Sequence, residues 1–134
     1  MFARLGEHVA TPDCVISSDA DRAAATATAL IRSLSFPQSR LRLEPELYMA
    51  SPQQVLDLIT VQGDTCHSLM IVGHNPTLTA LANHLIATLR LDNLPTCGVV
   101  GMEFDCDSWS QVRGRQARLT YLDYPKNTGH PVID

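Results

Sequence analysis

The sequence predicts an α/β sandwich built on a mostly parallel sheet, and three observations predict it. Short apolar runs bounded by turn residues alternate with amphipathic stretches, in the order helix, strand, helix, strand, helix, strand, helix, strand, strand. The 134 residues suit a single domain, 1–134, with one core. Hydrophobic residues at 45% and charged residues at 18% are ordinary for a globular chain. No apolar run approaches the roughly 18 residues of a membrane span, and the opening MFARLGEHVA lacks the apolar region of a signal peptide.

Residues 2–10 have the apolar spacing of a helix (Phe2, Leu5, Val9). Cys14–Ser17 (CVIS) is a short apolar run between turn residues, as in a buried strand. The Ala-rich stretch after it predicts a helix to about Leu34, capped by Asp19 or Ser18 and closed by Pro37. Leu41–Leu43 predicts a short strand. Ser51-Pro52-Gln53-Gln54 is a helix start with Ser at the N-cap, Pro at the first helical position and Gln at the third. Val55, Leu56, Leu58 and Ile59 supply that helix's apolar face. Ser68–Val72 (SLMIV) is the clearest buried strand, and Gly73-His74-Asn75-Pro76 is its exit turn. A helix is expected from Thr77 to about Leu89, with Leu78, Leu81, Ala82 and Leu85 in one stripe. Val99–Phe104 and Ala117–Leu122 predict two final strands joined by the loop Asp105–Gly114, with Trp109 packing over an edge. From Lys126 the chain is polar and bears Pro and Gly, which predicts a frayed tail.

A net charge of -4 argues against a nucleic-acid partner, although a few fixed donors can still build a local anion site. Cys14, Cys66, Cys97 and Cys106 form no CxxC pair, and three lie beside apolar runs. Buried, reduced thiols and a cytoplasmic setting are therefore expected. No ligand cluster has metal-binding spacing, so no metal is expected.

In open parallel sheets ligands bind beyond the carboxyl ends of the strands, which directs attention to Ser17-Ser18 and Gly73-His74. Arg22 comes a few residues after CVIS, in the first turn of a helix. The helix dipole disfavours a cation there but attracts an anion that the guanidinium would also grip. The alternative is a solvated surface arginine. His74 follows a buried strand directly, where its imidazole could donate to a phosphoryl oxygen, or could be a capping or core histidine. His8 and His84 on helices, His130 in the tail and His67 at the wrong end of its strand are weaker candidates. Glu46, in a Pro-Glu-Leu turn, could be a general acid or a solvated carboxylate. Thr96-Cys97-Gly98 could present backbone N–H groups to an anion or form an ordinary turn.

Taken in order, Ser17-Ser18-x-x-x-Arg22-Ala23-x-x-Thr26-Ala27, Pro45-Glu46-Leu47 and Val72-Gly73-His74-Asn75-Pro76 resemble the histidine phosphatase superfamily. The short spacing between these blocks resembles its compact SixA branch. So do the Leu47-Tyr48-x-x-Ser51-Pro52 run and the Met102-Glu103-Phe104 ending with Trp109. The resemblance spans about residues 3–125. It implies a phosphoglycerate-mutase-like three-layer fold and a phosphohistidine phosphatase that needs no cofactor and no metal. In that family a histidine of an N-terminal Arg-His-Gly motif attacks phosphorus and forms a phosphohistidine intermediate. The motif's arginine, a second arginine and a second histidine hold the phosphoryl oxygens. Arg22 matches the second arginine and His74 the second histidine. Glu46 matches a position where some branches keep an acid, which a basic phosphoramidate leaving group need not require. Ser17 and the amides near Cys97 would complete the phosphate contacts.

The chain contains no Arg-His-Gly. Its first residues align with the helix that follows that motif, and His8, in a helical Glu-His-Val context, is no substitute. The expectation is an N-terminally truncated phosphatase domain, missing its first strand and inactive as given. An open slot beside SLMIV would leave two unpaired edges through which copies could associate. Two alternatives stand beside this reading: a non-catalytic phosphate-binding or interaction domain, and a fragment without function of its own. The expected partner is phosphate, a phosphorylated small molecule or a phosphohistidine protein, and neither nucleic acid nor membrane.

Overall fold

In the computed structural model, which describes residues 2–95, 97–124 and 132–133, the run CVIS forms strand β1 (Cys14–Ser17). Val15, Ile16 and Ser17 of this strand have no solvent exposure, so both of its faces are covered, as a central parallel strand requires. It pairs in parallel with β2 (Arg42–Leu43) on one side and β3 (Leu69–Val72) on the other. The crossover from β1 to β2 runs through helix α2 (Asp21–Ser33), which buries Ala23, Ala27, Leu30 and Ile31 along one stripe. That stripe packs on β1 and β3, and Val15, Ile31 and Phe36 form a core cluster joined by Leu41 and Met70. Helix α1 (Phe2–His8) lies against α2. A Cβ at Gly6 would come within 3.1 Å of the Ser33 carbonyl oxygen, so the close approach of the two helices favours glycine. These elements make up one compact unit, Met1–Ala50 with Gly63–His74.

The second unit, Ser51–Gln62 with Asn75–Asp134, holds helices α3 (Pro52–Thr60) and α4 (Thr77–Leu85) packed on each other. It also holds an antiparallel sheet of β4 (Val99–Glu103), β5 (Arg118–Asp123) and β6 (Val132–Ile133), in the order β4-β5-β6. The register shifts between Gly101 and Met102, the mark of a β-bulge. The predicted start of α3 is observed in full. Ser51 Oγ accepts the Gln54 N–H at 3.1 Å and the Gln54 side chain accepts the Ser51 N–H at 2.8 Å.

The α/β class is as expected, with the six strands among the described residues divided evenly between a parallel and an antiparallel sheet. Among the described residues β3 is paired only with β1, and β4 only with β5. Three local expectations need correction. Helix α2 begins at Asp21 with Ala20 at its N-cap, so neither Ser18 nor Asp19 caps it. Helix α4 stops at Leu85 rather than near Leu89. The His84 and Leu85 carbonyls accept the amides of Arg115 and Ala117 at 2.8 and 2.9 Å, satisfying the helix end from outside and releasing Ile86 into a bridge with Ala117. Trp109 sits in a one-turn 3-10 helix (Trp109–Gln111) that packs against α3. The expected frayed tail falls mostly outside the described residues, but Val132–Ile133 is paired with β5.

Replacing the cap of α3 tests how far this local motif supports the second unit. Ser51→Ala is expected to destabilise the protein by about 1 kcal/mol, read from the midpoint of urea unfolding. An unchanged midpoint would mean that packing alone holds the helix.

Candidate functional site

Parallel register decides which residues meet. Ser17 stands opposite Leu43 on one side and Val72 on the other, so the three strands end level. Beyond this edge the chain continues as Glu44-Pro45-Glu46 after β2, as Ser18 to Arg22 after β1, and as Gly73-His74 after β3. Two backbone bonds tie the exits together: Glu44 N–H donates to the Ser17 carbonyl at 2.8 Å, and Ser18 N–H donates to the Val72 carbonyl at 2.9 Å.

His74 is half-buried, with Nε2 2.8 Å from Ser18 Oγ. Ser18 is fully buried, and its Oγ also accepts the Ala20 N–H at 3.2 Å. With that lone pair occupied, the hydroxyl proton is free to be donated to Nε2, which puts the imidazole's own proton on Nδ1. The reverse arrangement, Nε2–H donating to the second lone pair, satisfies the same distance. Tyr48 meets the imidazole edge-on, with ring centroids 5.4 Å apart and planes at 82°. Tyr48 lies on the segment after β2, so a side chain from one flank of the sheet reaches the histidine on the other flank.

Arg22 is the second residue of α2 and is exposed; among the described residues its guanidinium has no hydrogen bond or ion pair. No side chain caps this helix, so its first N–H groups have no intrahelical or capping acceptor. Glu46 is exposed, on a one-turn 3-10 helix (Pro45–Leu47) anchored by buried Leu47. Sequence reasoning thus put Arg22, Glu46 and His74 on the exits of three strands that prove to be neighbours.

Two other expectations fare differently. Ser17 is fully buried and its hydroxyl donates to the Ser18 carbonyl at 2.9 Å, so the hydroxyl beside His74 is that of Ser18 instead. The cause is strand alternation, which sends successive side chains to opposite faces. Cys97 lies in the second unit, half-buried, with φ 60°. Of the amides near it, that of Gly98 closes a turn by donating to the Pro95 carbonyl at 2.8 Å and is not open to an anion. A Cβ on Gly98 would sit 2.8 Å from the Pro95 carbonyl oxygen, a backbone atom that cannot move aside, which reserves the position for glycine. Thr96 lies outside the described residues. Sequence reasoning placed Ser18 at a strand exit but gave it no contact, and gave Tyr48 no site role. The signal for Ser18 was its place one residue beyond a buried strand; a contact like that of Tyr48 leaves none.

The arrangement is that of an α/β protein whose strand exits present an imidazole, a guanidinium and an uncapped helix start. No protein family model matches the sequence, and no curated protein matches it significantly. Solved structures do. One is from Nakamurella multipartitia and is designated phosphohistidine phosphatase SixA. It superposes with a TM-score of 0.73 at 17% identity over 94% of this chain and 80% of its own. Another, so designated from Agrobacterium tumefaciens, gives a TM-score of 0.69 at 27% identity over 92% of this chain and 75% of its own. The chain resembles the SixA-type branch of the histidine phosphatase superfamily and has its phosphoglycerate-mutase-like fold.

The two contacts of His74 are open to test by NMR. Tyr48→Ala removes a ring current and is expected to move the His74 ring proton resonances. Because Tyr48 is 58% exposed, stability should change by less than about 1 kcal/mol. Resonances that stay in place would mean that the rings do not meet in solution.

Proposed function

We propose that this chain carries the second-arginine and second-histidine half of a phosphohistidine phosphatase site, and that without a nucleophile it binds phosphoryl groups rather than hydrolysing them. The observation that carries the reading is the strand edge where His74, braced by Ser18, and Arg22, without a hydrogen bond or ion pair among the described residues, emerge beside the uncapped start of α2.

Each group has a physical task in this reading. The N–H groups opening α2 and the Arg22 fork donate to equatorial phosphoryl oxygens. His74 donates through Nδ1 to another oxygen when Ser18 holds Nε2, and Tyr48 limits how far the ring can turn. Asp21 shares the first turn of α2 and opposes an anion, so affinity is modest. Glu46 stands where a general acid would be useful for an ester leaving group, while a phosphoramidate nitrogen is basic enough to take a proton from water. In the superfamily the attacking group is a histidine of an Arg-His-Gly motif, and residues 1–134 contain no such motif. The ligand is a phosphohistidine protein or a small phosphorylated molecule, met in a reducing, cytoplasmic setting.

Purified chain 1–134 is expected to show no turnover of an aryl phosphate or a phosphohistidine peptide above that of its His74→Ala variant. Covalent mechanisms without their nucleophile retain only binding and electrostatic contributions. Multiple turnover, with phosphate trapped on a histidine, would refute the reading. Phosphate or vanadate titration tests the binding half. Arg22→Ala removes a charge-assisted contact of roughly 1.5–3 kcal/mol, so affinity should fall at least about tenfold. Equal affinity would reduce Arg22 to a surface charge.

A further inference from the structure

The strand exits that carry His74 and Arg22 also carry an apolar rim. Among the described residues four large apolar side chains are exposed, and three of them, Leu43, Tyr48 and Met49, fall between positions 43 and 49 of the first unit. Leu43 ends β2, level with Ser17 and Val72. Tyr48 meets the His74 ring, and Met49 follows it at 83% exposure. Met49 has φ 62°, a left-handed conformation that is costly for a non-glycine residue and persists only where its surroundings hold it. Here they do. Leu47 and Ala50 on either side are buried, and the amides of Leu47, Tyr48 and Ala50 donate to the carbonyls of Glu44, Pro45 and Leu47. A bare phosphate ion has no apolar surface to place on this rim, whereas a larger ligand held at His74 would cover it. Charge adds a second constraint. Asp19, Asp21 and Glu46 are exposed at the same exits, and among the described residues none of them forms an ion pair. Glu44 is paired with Arg42, so unpaired carboxylates outnumber the Arg22 guanidinium by three to one. The Arg22 fork and the first amides of α2 act on a phosphoryl oxygen at contact, but the carboxylates around them repel a bare anion.

Resting on the phosphoryl-site reading, we infer that the ligand is a phosphorylated polypeptide with a basic and an apolar side chain beside its phosphorylated residue. The phosphoryl group lies with His74 and Arg22, the apolar side chain packs on Tyr48 and Met49, and the basic side chain meets the carboxylates of Asp19, Asp21 and Glu46. Because the Tyr48 ring touches His74, the rim and the phosphoryl site form one continuous surface. Tyrosine and methionine suit such a surface: both are enriched at protein interfaces, and the flexible thioether adapts to the shape of what it meets. A cation on the ligand offsets the repulsion that its phosphoryl group would otherwise feel, so the same carboxylates that weaken a bare anion favour this ligand. The platform is already held by buried Leu47 and Ala50, so binding has little of it left to order.

The test is a calorimetric titration of the full chain with three probes. They are inorganic phosphate, a peptide bearing a non-hydrolysable phosphohistidine analogue between lysine and leucine, and the same peptide with serine at both flanks. At low salt the Lys/Leu peptide should bind at least about tenfold tighter than the serine peptide. Met49→Ser, at an exposed position, should weaken the Lys/Leu peptide by about threefold or more and leave phosphate affinity as it was. Neutralising Asp19→Asn and Glu46→Gln together should tighten phosphate while narrowing the gap between the two peptides. Equal affinity for both peptides, beside phosphate binding that needs Arg22, would overturn this inference and leave the phosphoryl site standing. A leucine advantage that survives Tyr48→Ser with Met49→Ser would also overturn it. Binding of none of the probes would overturn both.

Discussion

Parallel pairing of β1 with both β2 and β3 is the constraint on which the first unit depends. Parallel neighbours cannot be joined by a tight turn, so the chain must leave β1, cross over a face of the sheet and return. Helix α2 is that crossover, and its apolar stripe of Ala23, Ala27, Leu30 and Ile31 is what allows it to lie on the strands. The same pairing sends all three strands in one direction, so that every exit lies at one edge and every start at the other. A register slip of one residue would reverse the faces of Val15, Ile16 and Ser17 and separate Ser18 from His74.

The second unit solves a different problem, which is how to hold irregular backbone without exposing or stranding its polar groups. Asn75 donates to the Leu94 carbonyl at 2.8 Å, and its own carbonyl accepts the Thr79 hydroxyl, which in turn accepts the Leu94 N–H at 2.9 Å. Asn83 brackets Leu91 in the same way, donating to its carbonyl at 2.7 Å and accepting its N–H at 2.9 Å. These side chains on and beside α4 do for the loop what a neighbouring strand would otherwise do. Asp123 follows the same rule inside β5: with no exposure, it accepts from Tyr121 Oη at 3.3 Å and from the Tyr124 N–H at 2.9 Å. Buried polar groups are tolerated here because they are satisfied.

Chemistry divides along the strand direction in the first unit. At the exits, fixed donors and a guanidinium without a partner among the described residues gather where no side chain caps the helix, an arrangement suited to an anion. At the starts, Asp13, Cys14, Cys66 and Ser68 form a hydrogen-bonded turn, and burial there pushes the Cys66 thiol up from its ordinary value. One end favours negative charge in a ligand, and the other disfavours it on a sulfur. Both effects follow from local donors and burial, and neither needs the chain's net charge of -4.

Much of this was legible in the sequence, for a specific reason. Strand β1, the capping box of α3 and the helix positions depend on neighbours in the chain, so apolar periodicity and cap residues locate them to within a few residues. The strand-exit rule also pointed to Ser17-Ser18 and Gly73-His74 without any coordinates, and the motif resemblance added Arg22 and Glu46. What the sequence by itself determined is therefore which segments are helix or strand and which residues stand at strand ends. Tertiary structure alone decided which hydroxyl meets His74, why α4 ends at Leu85, that Gly98 spends its amide on a turn, and that the Cys14 N–H and the Cys66 thiol share the Ser68 carbonyl. Each of those outcomes joins residues far apart in the chain or depends on the face to which a strand turns a side chain. Sheet register and loop closure settle such matters, and neither leaves a local pattern to read.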